Sequence, residues 1–264
     1  MERFKLSVTE KQNVVAIILQ AVKPCTIYIF GKRQESTGMT HFYILVLTDT
    51  AIKGPHLMNE IHQRSNQTIS ATVLVHKLKH LATKDKSQQY FFDQVLRYGQ
   101  RIWLDTGNVP YLLEHHPERD LETDSAFWQK CVAVAMFNLQ AAKEHPQEEV
   151  VLCKIALLSG ACVQIAIGLI RVFLGYTPNA FGLSYLLQLC CHFTALPAEV
   201  FPENSENDIR LYKMLCAPAS MLLHWRKLDA AEYDFEVLLE RTELFLDKAS
   251  EQVTIALNRL RTLN

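Results

Sequence analysis

The spacing of apolar positions changes once along the chain, near residue 105, and this change predicts two structural halves. Before it, short runs rich in β-branched and aromatic residues, typical of strands, are interleaved with amphipathic stretches typical of helices. From residue 124 on, strand signals vanish and apolar residues recur at helical spacing. The pattern therefore predicts the α+β class, with a small mixed β-sheet followed by an up-and-down helical bundle.

The first half, residues 1–105, is predicted as one α/β domain. Pro24 and Gly99 each end a predicted helix, because proline cannot continue a helix and glycine favours its C-terminal end. In chain order the elements are helix, strand, strand, helix, strand, helix and strand, over residues 8–23, 25–30, 41–48, 55–67, 68–76, 87–98 and 100–104.

The second half is predicted as a bundle over residues 123–264, after a linker over residues 106–122 that is rich in glycine, proline and charges. Pro197 and Pro202 are assigned to a loop. The predicted helices cover residues 125–144, 148–174, 181–193, 205–227 and 230–260.

Composition and charge exclude several function classes. The 49% hydrophobic content is typical of a folded globular protein, and a net charge of −1 gives no bulk attraction to nucleic acid or membrane. The seven cysteines form no C-x-x-C pair, and residues 1–10 do not resemble a signal peptide, which predicts reduced thiols in a cytoplasmic protein. Polar residues interrupt the apolar run 155–175, which predicts a buried helix and no membrane span.

The polar loop between the first two predicted strands is the first candidate binding site. It opens with Gly31, Lys32 and Arg33 and ends at Gly38. Backbone N–H groups beside a glycine, together with two cations, suit a phosphate group. A tight connection between two core strands explains the same residues without a ligand.

The stretch CTIYIFGKRQESTGMTHFYILVLTD around this loop resembles the signature of minimal nucleotidyltransferases related to kanamycin nucleotidyltransferase. The family pattern is a strand, Gly-Ser, a polar loop, and Ser-Asp-x-Asp opening the next strand, where the two aspartates hold magnesium. By this resemblance Gly31 is the family glycine, Lys32 replaces the serine, Thr40 stands at the second serine, and His41 and Tyr43 stand at the aspartates. The resemblance implies the fold, whereas the loss of both carboxylates argues against magnesium-dependent transfer.

The second half resembles the HEPN domain, a helical bundle often fused to or paired with minimal nucleotidyltransferases. The matching stretches are AFWQKCVAVAMFNLQAAK, LSGACVQIAIGLIRVFLGYTP and HWRKLDAAEYDFEVLLERTELFLDKA. The resemblance implies a homodimer formed through helices 125–144 and 148–174. Many HEPN ribonucleases carry an arginine and a histidine separated by four to six residues, a motif that this half lacks. Arg226 is a candidate anion-binding residue, or simply a charge at a helix end.

His76 and His80 have a spacing compatible with a metal ion on a helix face. They lie at the end of a predicted strand, however, and no carboxylate or cysteine accompanies them. A zinc site is therefore not predicted.

The predicted function is that of a pseudoenzyme, a nucleotidyltransferase-like and HEPN-like protein that binds a nucleotide, an RNA or other nucleic-acid end, or a protein partner, with no cofactor. The alternative is an active nucleotidyltransferase that uses magnesium in a rearranged site with Glu35 or Asp49. Such an enzyme would transfer a nucleoside monophosphate to a small-molecule, protein or RNA acceptor.

Overall fold

The computed structural model describes residues 8–35, 38–78, 81, 86–107, 116–144, 150–218 and 230–263. Contacts divide the chain into two compact units, Met1–Arg119 and Asp120–Asn264. The first unit contains a mixed sheet with helices and the second is helical. The predicted α+β class is therefore confirmed.

The first unit follows the predicted order of elements. In chain order they are α1 (Val8–Ala21), β1 (Thr26–Gln34), β2 (Thr40–Leu47), α2 (Gly54–Arg64), β3 (Ile69–His76), α3 (Lys86–Tyr98) and β4 (Gln100–Leu104).

The four strands form one sheet in the order β3-β2-β1-β4. β1 is antiparallel to both β2 and β4, whereas β2 and β3 are parallel. The parallel pair needs a crossover, which α2 supplies between them. Residues on one face of the sheet pack with α1 and α2 into an apolar core that includes Ile18, Ile44, Leu57, Ile61 and Val73.

β1 is longer than the predicted strand, because it continues through Gly31 to Gln34. A β-bulge between Ile29 and Gly31 absorbs one extra residue, after which Lys32 pairs with Phe42 and Arg33 with His41. The chain reverses instead near Gly38, whose φ of 82° lies in the left-handed region that favours glycine. The predicted loop that begins at Gly31 is therefore wrong.

The second unit contains α4 (Leu121–Glu144), α5 (Val151–Leu174), α6 (Leu183–Cys190), α7 (Leu196–Val200), α8 (Glu206–Leu215) and α9 (Glu232–Leu263). α4 begins inside the predicted linker over residues 106–122. The short helix α7 replaces part of a predicted loop, because Pro197 lies in its first turn, where a missing N–H costs no hydrogen bond. The predicted helix over 205–227 ends at Leu215, and residues 219–229 lie outside the described part of the chain.

α5 is long and apolar enough to cross a membrane by length and composition. Of its most apolar window, 61% is buried within the protein. It ends at Gly175, whose φ of 67° allows its N–H to donate to the carbonyl oxygen of Arg171. These features are those of the core helix of a soluble protein.

α4 and α5 pack closely because a glycine lies at their contact. A Cβ atom on Gly168 would lie 2.5 Å from Cε3 of the buried Trp128. One turn further along α5, the Arg171 guanidinium donates from Nε to Oδ1 of Asp124 at 2.7 Å, with both side chains buried. This ion pair holds an acidic residue of the first turn of α4 in the core.

The Gly168 contact generates a prediction about stability. We expect Gly168→Ala to lower the free energy of unfolding by about 1–2 kcal/mol, because the overpacking cost exceeds the gain in helix propensity. The matched control is Gly160→Ala on the same helix, whose Cβ would meet only the end of the Asn138 side chain at 3.0 Å. Urea denaturation should show Gly160→Ala to be neutral or stabilising. Equal stability of the two variants would refute the packing described.

Candidate functional site

Alternation along β2 places His41 and Tyr43 on the face of the sheet opposite to Phe42 and the α1–α2 core. The parallel register with β3 sets Ser70 beside His41 and Thr72 beside Tyr43. α3 covers part of this second face, since the rings of Phe30 and Phe91 lie 5.7 Å apart, edge to face. The two positions that the nucleotidyltransferase resemblance would align with metal-binding aspartates therefore lie beside hydroxyl groups in the interior of the unit.

His41 is 3% exposed, and both ring nitrogens are within hydrogen-bonding distance of side chains. Nδ1 lies 2.6 Å from Oγ of Ser70 and 3.3 Å from Oε1 of Glu35, and Nε2 lies 2.9 Å from Oγ1 of Thr72. Arg33, Glu35, His41, Ser70 and Thr72 are called the His41 cluster below.

The hydrogen bonds of the His41 cluster are consistent with one tautomer of the ring. Ser70 donates its hydroxyl proton to Oε1 of Glu35 at 3.3 Å, so its oxygen accepts a proton from Nδ1 of His41. Nε2 then accepts from the hydroxyl of Thr72. The Arg33 guanidinium donates from Nη2 to the same Glu35 oxygen at 3.4 Å. The result is a directed chain of hydrogen bonds from Thr72 through His41 and Ser70 to Glu35.

The imidazole of His41 is uncharged at neutral pH. Burial is the main cause that lowers its pKa, and the positive charge of Arg33 lowers it further, to about 4. Glu35 does not offset these effects, because it is itself paired with Arg33. His41 therefore acts as a neutral hydrogen-bonding group rather than as a cation.

Tyr43 is 1% exposed and lies in an aromatic cluster on the same face. Its ring centroid is 4.9 Å from that of His41 and 6.1 Å from that of Phe30. This packing buries the Tyr43 ring at the position where the resemblance would place a second metal-binding carboxylate.

The donor set of this face does not fit magnesium. Mg²⁺ takes hard oxygen ligands, usually carboxylates together with substrate phosphates. The side chains present are a neutral imidazole, a phenol, two hydroxyls and a carboxylate that is already paired with Arg33. Within the described ranges, no group of three or more His, Cys, Asp or Glu residues could hold a metal ion.

Lys32 and Arg33 do not converge on one point, because neighbouring residues of a strand project to opposite faces. Lys32 lies on the α1 side, where Nζ is 3.5 Å from Oε1 of Glu10 and 5.7 Å from the ring centre of Phe42. Arg33 lies on the other side with Glu35. One anion cannot be bound by both cations in this arrangement.

The remaining predicted anion-binding residues do not complete such a site. Gly31 pairs with Tyr43 in the β1–β2 ladder instead of lying in a loop. Thr40 lies at the end of the hairpin, where its hydroxyl donates to Oε1 of Gln34 at 3.3 Å. Arg226 lies outside the described residues.

The zinc site considered for His76 and His80 is not formed by the described residues of the first unit. His76 is buried against Phe92, with ring centroids 4.9 Å apart, and His80 lies outside the described residues. His116 instead contacts Asp93, a buried residue of α3 that also pairs with Arg97 at 2.7 Å. Sequence patterns did not single out Asp93, because it looks like an ordinary charged position of an amphipathic helix.

The cysteines are free and mostly buried, as expected for reduced thiols. Burial raises the pKa of the Cys131 thiol to about 11 and that of Cys162 to about 12. Such thiols remain protonated at neutral pH, so neither is a nucleophile.

No protein-family model and no curated protein matches the chain. The likeness to nucleotidyltransferases and HEPN domains therefore stays a prediction that rests on residue patterns.

The low pKa of His41 predicts a specific pH dependence of stability. Above pH 6.5 the ring is neutral in both the folded and the unfolded chain, so protonation contributes nothing. As the pH falls from 6.5 to about 4, His41 becomes protonated in the unfolded chain but stays neutral in the folded protein. The free energy of unfolding therefore decreases by about 3 kcal/mol over this range.

We expect His41→Asn to be destabilised by about 1–3 kcal/mol at pH 7, since buried hydrogen bonds are lost. The difference in stability between the variant and the parent should vanish or reverse near pH 4, because asparagine does not titrate and the variant escapes the loss of stability that His41 causes in the parent. Urea unfolding at several pH values measures it, with His56→Asn at an exposed position of α2 as the control. A constant difference between parent and His41→Asn would show that His41 is not held neutral.

Proposed function

We propose that this protein is a non-catalytic relative of minimal nucleotidyltransferases, joined to a HEPN-like helical bundle, that works by binding in the cytoplasm. The burial of a neutral His41, with both nitrogens hydrogen-bonded, carries the proposal. A magnesium ion at this position would need carboxylates in place of His41 and Tyr43, and room for a triphosphate beside them. Side chains that are 3% and 1% exposed offer neither.

The sheet topology supports the first part of the proposal. An antiparallel hairpin followed by a parallel third strand, with a helix in the crossover, agrees with the small mixed sheet expected for such a domain. The helical second unit, with its long apolar α5, agrees with a HEPN-like bundle at the level of fold class.

A rearranged metal site is less favoured. Glu35 precedes β2 and Asp49 follows it, so the eight-residue strand separates them. At 3.3 Å per residue, that distance is about 26 Å, too far for one ion or for two adjacent ions. Glu35 is also engaged by Arg33 and Ser70.

Two arginines in the described part of the second unit are engaged by carboxylates of the same unit. Arg171 is buried against Asp124, and Arg210 binds both carboxylate oxygens of Asp234. Each of these guanidinium groups neutralises a carboxylate of the fold, which leaves its charge less suited to a phosphate.

Calorimetry with ATP and GTP, with and without Mg²⁺, tests the proposal. We expect that Mg²⁺ does not increase the affinity for either nucleotide, because the described residues of the His41 face offer no carboxylate pair for the ion. We also expect no transfer of a labelled nucleoside monophosphate to protein, RNA or small acceptors. Magnesium-dependent binding, or transfer that is lost in Glu35→Gln, would refute the proposal and favour the rearranged site. Any magnesium-independent binding can be assigned by comparing Lys32→Ala with Arg33→Ala, since the two cations lie on opposite faces.

The binding partner that we propose for the helical unit is a second copy of the chain. α4 exposes two large apolar side chains three residues apart, and therefore neighbours on the helix surface: Val134 is 45% exposed and Phe137 70%. An exposed apolar pair of this kind is typical of the centre of an interface. An isologous contact would place the same patch of both copies together.

Sedimentation velocity tests this pairing. We expect the parent to be a dimer and Phe137→Glu to be monomeric, because two carboxylates would be buried at the twofold axis. Gln129→Glu adds the same charge at another exposed position of α4 and should leave the dimer intact. A monomeric parent, or a dimeric Phe137→Glu variant, would rule out this interface.

A further inference from the structure

The outward face of α9 carries a row of exposed apolar side chains. The inward residues Phe235, Leu238, Phe245 and Val253 are buried in the second unit. On the other side Tyr233 is 66% exposed, Leu244 42% and Ile255 60%. These three residues recur every eleven positions, and since eleven residues advance a helix by three turns plus about 20°, they form one nearly straight row.

A row of carboxylates runs beside the apolar row. Glu236, Glu240, Asp247 and Glu251 are all exposed and lie within about 60° of Tyr233 around the helix axis. They form two like-charged pairs four residues apart, an arrangement that destabilises a helix. The face therefore combines exposed apolar groups with a row of carboxylates.

The charges on the flanks of α9 behave differently. Arg241 pairs with Asp208 on α8, Glu243 with Lys143 on α4, and Lys248 with Glu199 on α7 at 3.7 Å. Among the ion pairs of the described residues, none includes the four outward carboxylates. Neighbouring helices thus pair with the charged side chains on the flanks of α9, whereas no ion pair among this unit's described residues includes the outward carboxylates.

We propose that this outward face, the α9 stripe, is a docking surface for a cationic amphipathic helix of a partner protein. The partner's apolar row would pack on Tyr233, Leu244 and Ile255. Its lysines and arginines would lie along the carboxylate row and relieve the repulsion within it. The stripe from Tyr233 to Ile255 is about 33 Å long, which matches a helix of about six turns.

The sign of the charge selects this class of partner. Nucleic acids and anionic lipid surfaces would be repelled by the carboxylate row. An uncharged apolar helix would leave the carboxylates unpaired and partly desolvated, at a cost in affinity. The inference is independent of the nucleotidyltransferase likeness, because it concerns a different unit and a different surface.

A pair of synthetic helical peptides tests the docking surface on the full-length protein. One peptide carries a leucine row flanked by lysines, and the other replaces every lysine by glutamate. We expect the lysine peptide to bind, with an affinity that falls as salt is added, and the glutamate peptide not to bind. The combined variant Glu236→Gln, Glu240→Gln, Asp247→Asn and Glu251→Gln should weaken binding about tenfold or more, the loss expected for four exposed ion pairs.

Two further variants test whether the peptide binds at the α9 stripe. Leu244→Ser should also weaken binding of the lysine peptide, whereas Glu122→Gln, an exposed carboxylate of α4, should not. Thermal unfolding followed by circular dichroism confirms that each variant is folded. The proposal would be overturned if both peptides bound equally, if neither bound, or if the α9 substitutions left the affinity for the lysine peptide unchanged. A change of oligomeric state in the α9 variants would also overturn it, because the stripe would then be a contact between copies of this chain.

Discussion

The parallel register between β2 and β3 is the constraint on which the first unit depends. It sets Ser70 and Thr72 beside His41 and Tyr43 and so supplies the hydroxyls that satisfy the buried imidazole. A shift of one residue would turn these polar groups toward the α1–α2 core and expose the apolar set of β3. The His41 cluster thus holds the register, and the register keeps His41 neutral.

This arrangement lets the sheet bury a polar side chain at position 41 without burying a charge. A carboxylate at position 41 would be buried beside Glu35, and like charges at that distance disfavour each other strongly. The neutral ring of His41 instead donates one hydrogen bond to a hydroxyl and accepts one from another, so that no charge is buried. His41 therefore completes an internal hydrogen-bond chain at a position where the nucleotidyltransferase resemblance would predict a carboxylate.

Much of the fold followed from local patterns, because periodicity, prolines and glycines act over short distances. The helix that ends at Gly175 and the strand over Ile69–His76 are examples. The extension of β1 past Gly31 was missed because a bulge depends on the partner strand, and a glycine in sequence looks like a terminator. The burial of Asp124 was missed because an acidic residue in a first helical turn is typical of a surface, and its partner Arg171 is distant in sequence.

The site was predictable only in part. Family likeness pointed to positions 41 and 43, but it could not show their burial. Neighbouring residues of a strand project to opposite faces, so Lys32 and Arg33 could not bind one anion together. This conclusion was not reached from the sequence, because both residues were assigned to a loop. Ser70 and Thr72 share a face by alternation, and only the register joins them to His41.

Nitrogen-15 NMR of the histidine rings, recorded with ATP before and after addition of Mn²⁺, examines the site directly. If the face is an internal hydrogen-bonded cluster, His41 gives the signals of a neutral ring protonated at Nδ1, and the paramagnetic ion leaves them unbroadened. Selective broadening of the His41 signals by Mn²⁺ with ATP would mean that this face still binds a metal nucleotide, and the non-catalytic assignment would have to be abandoned.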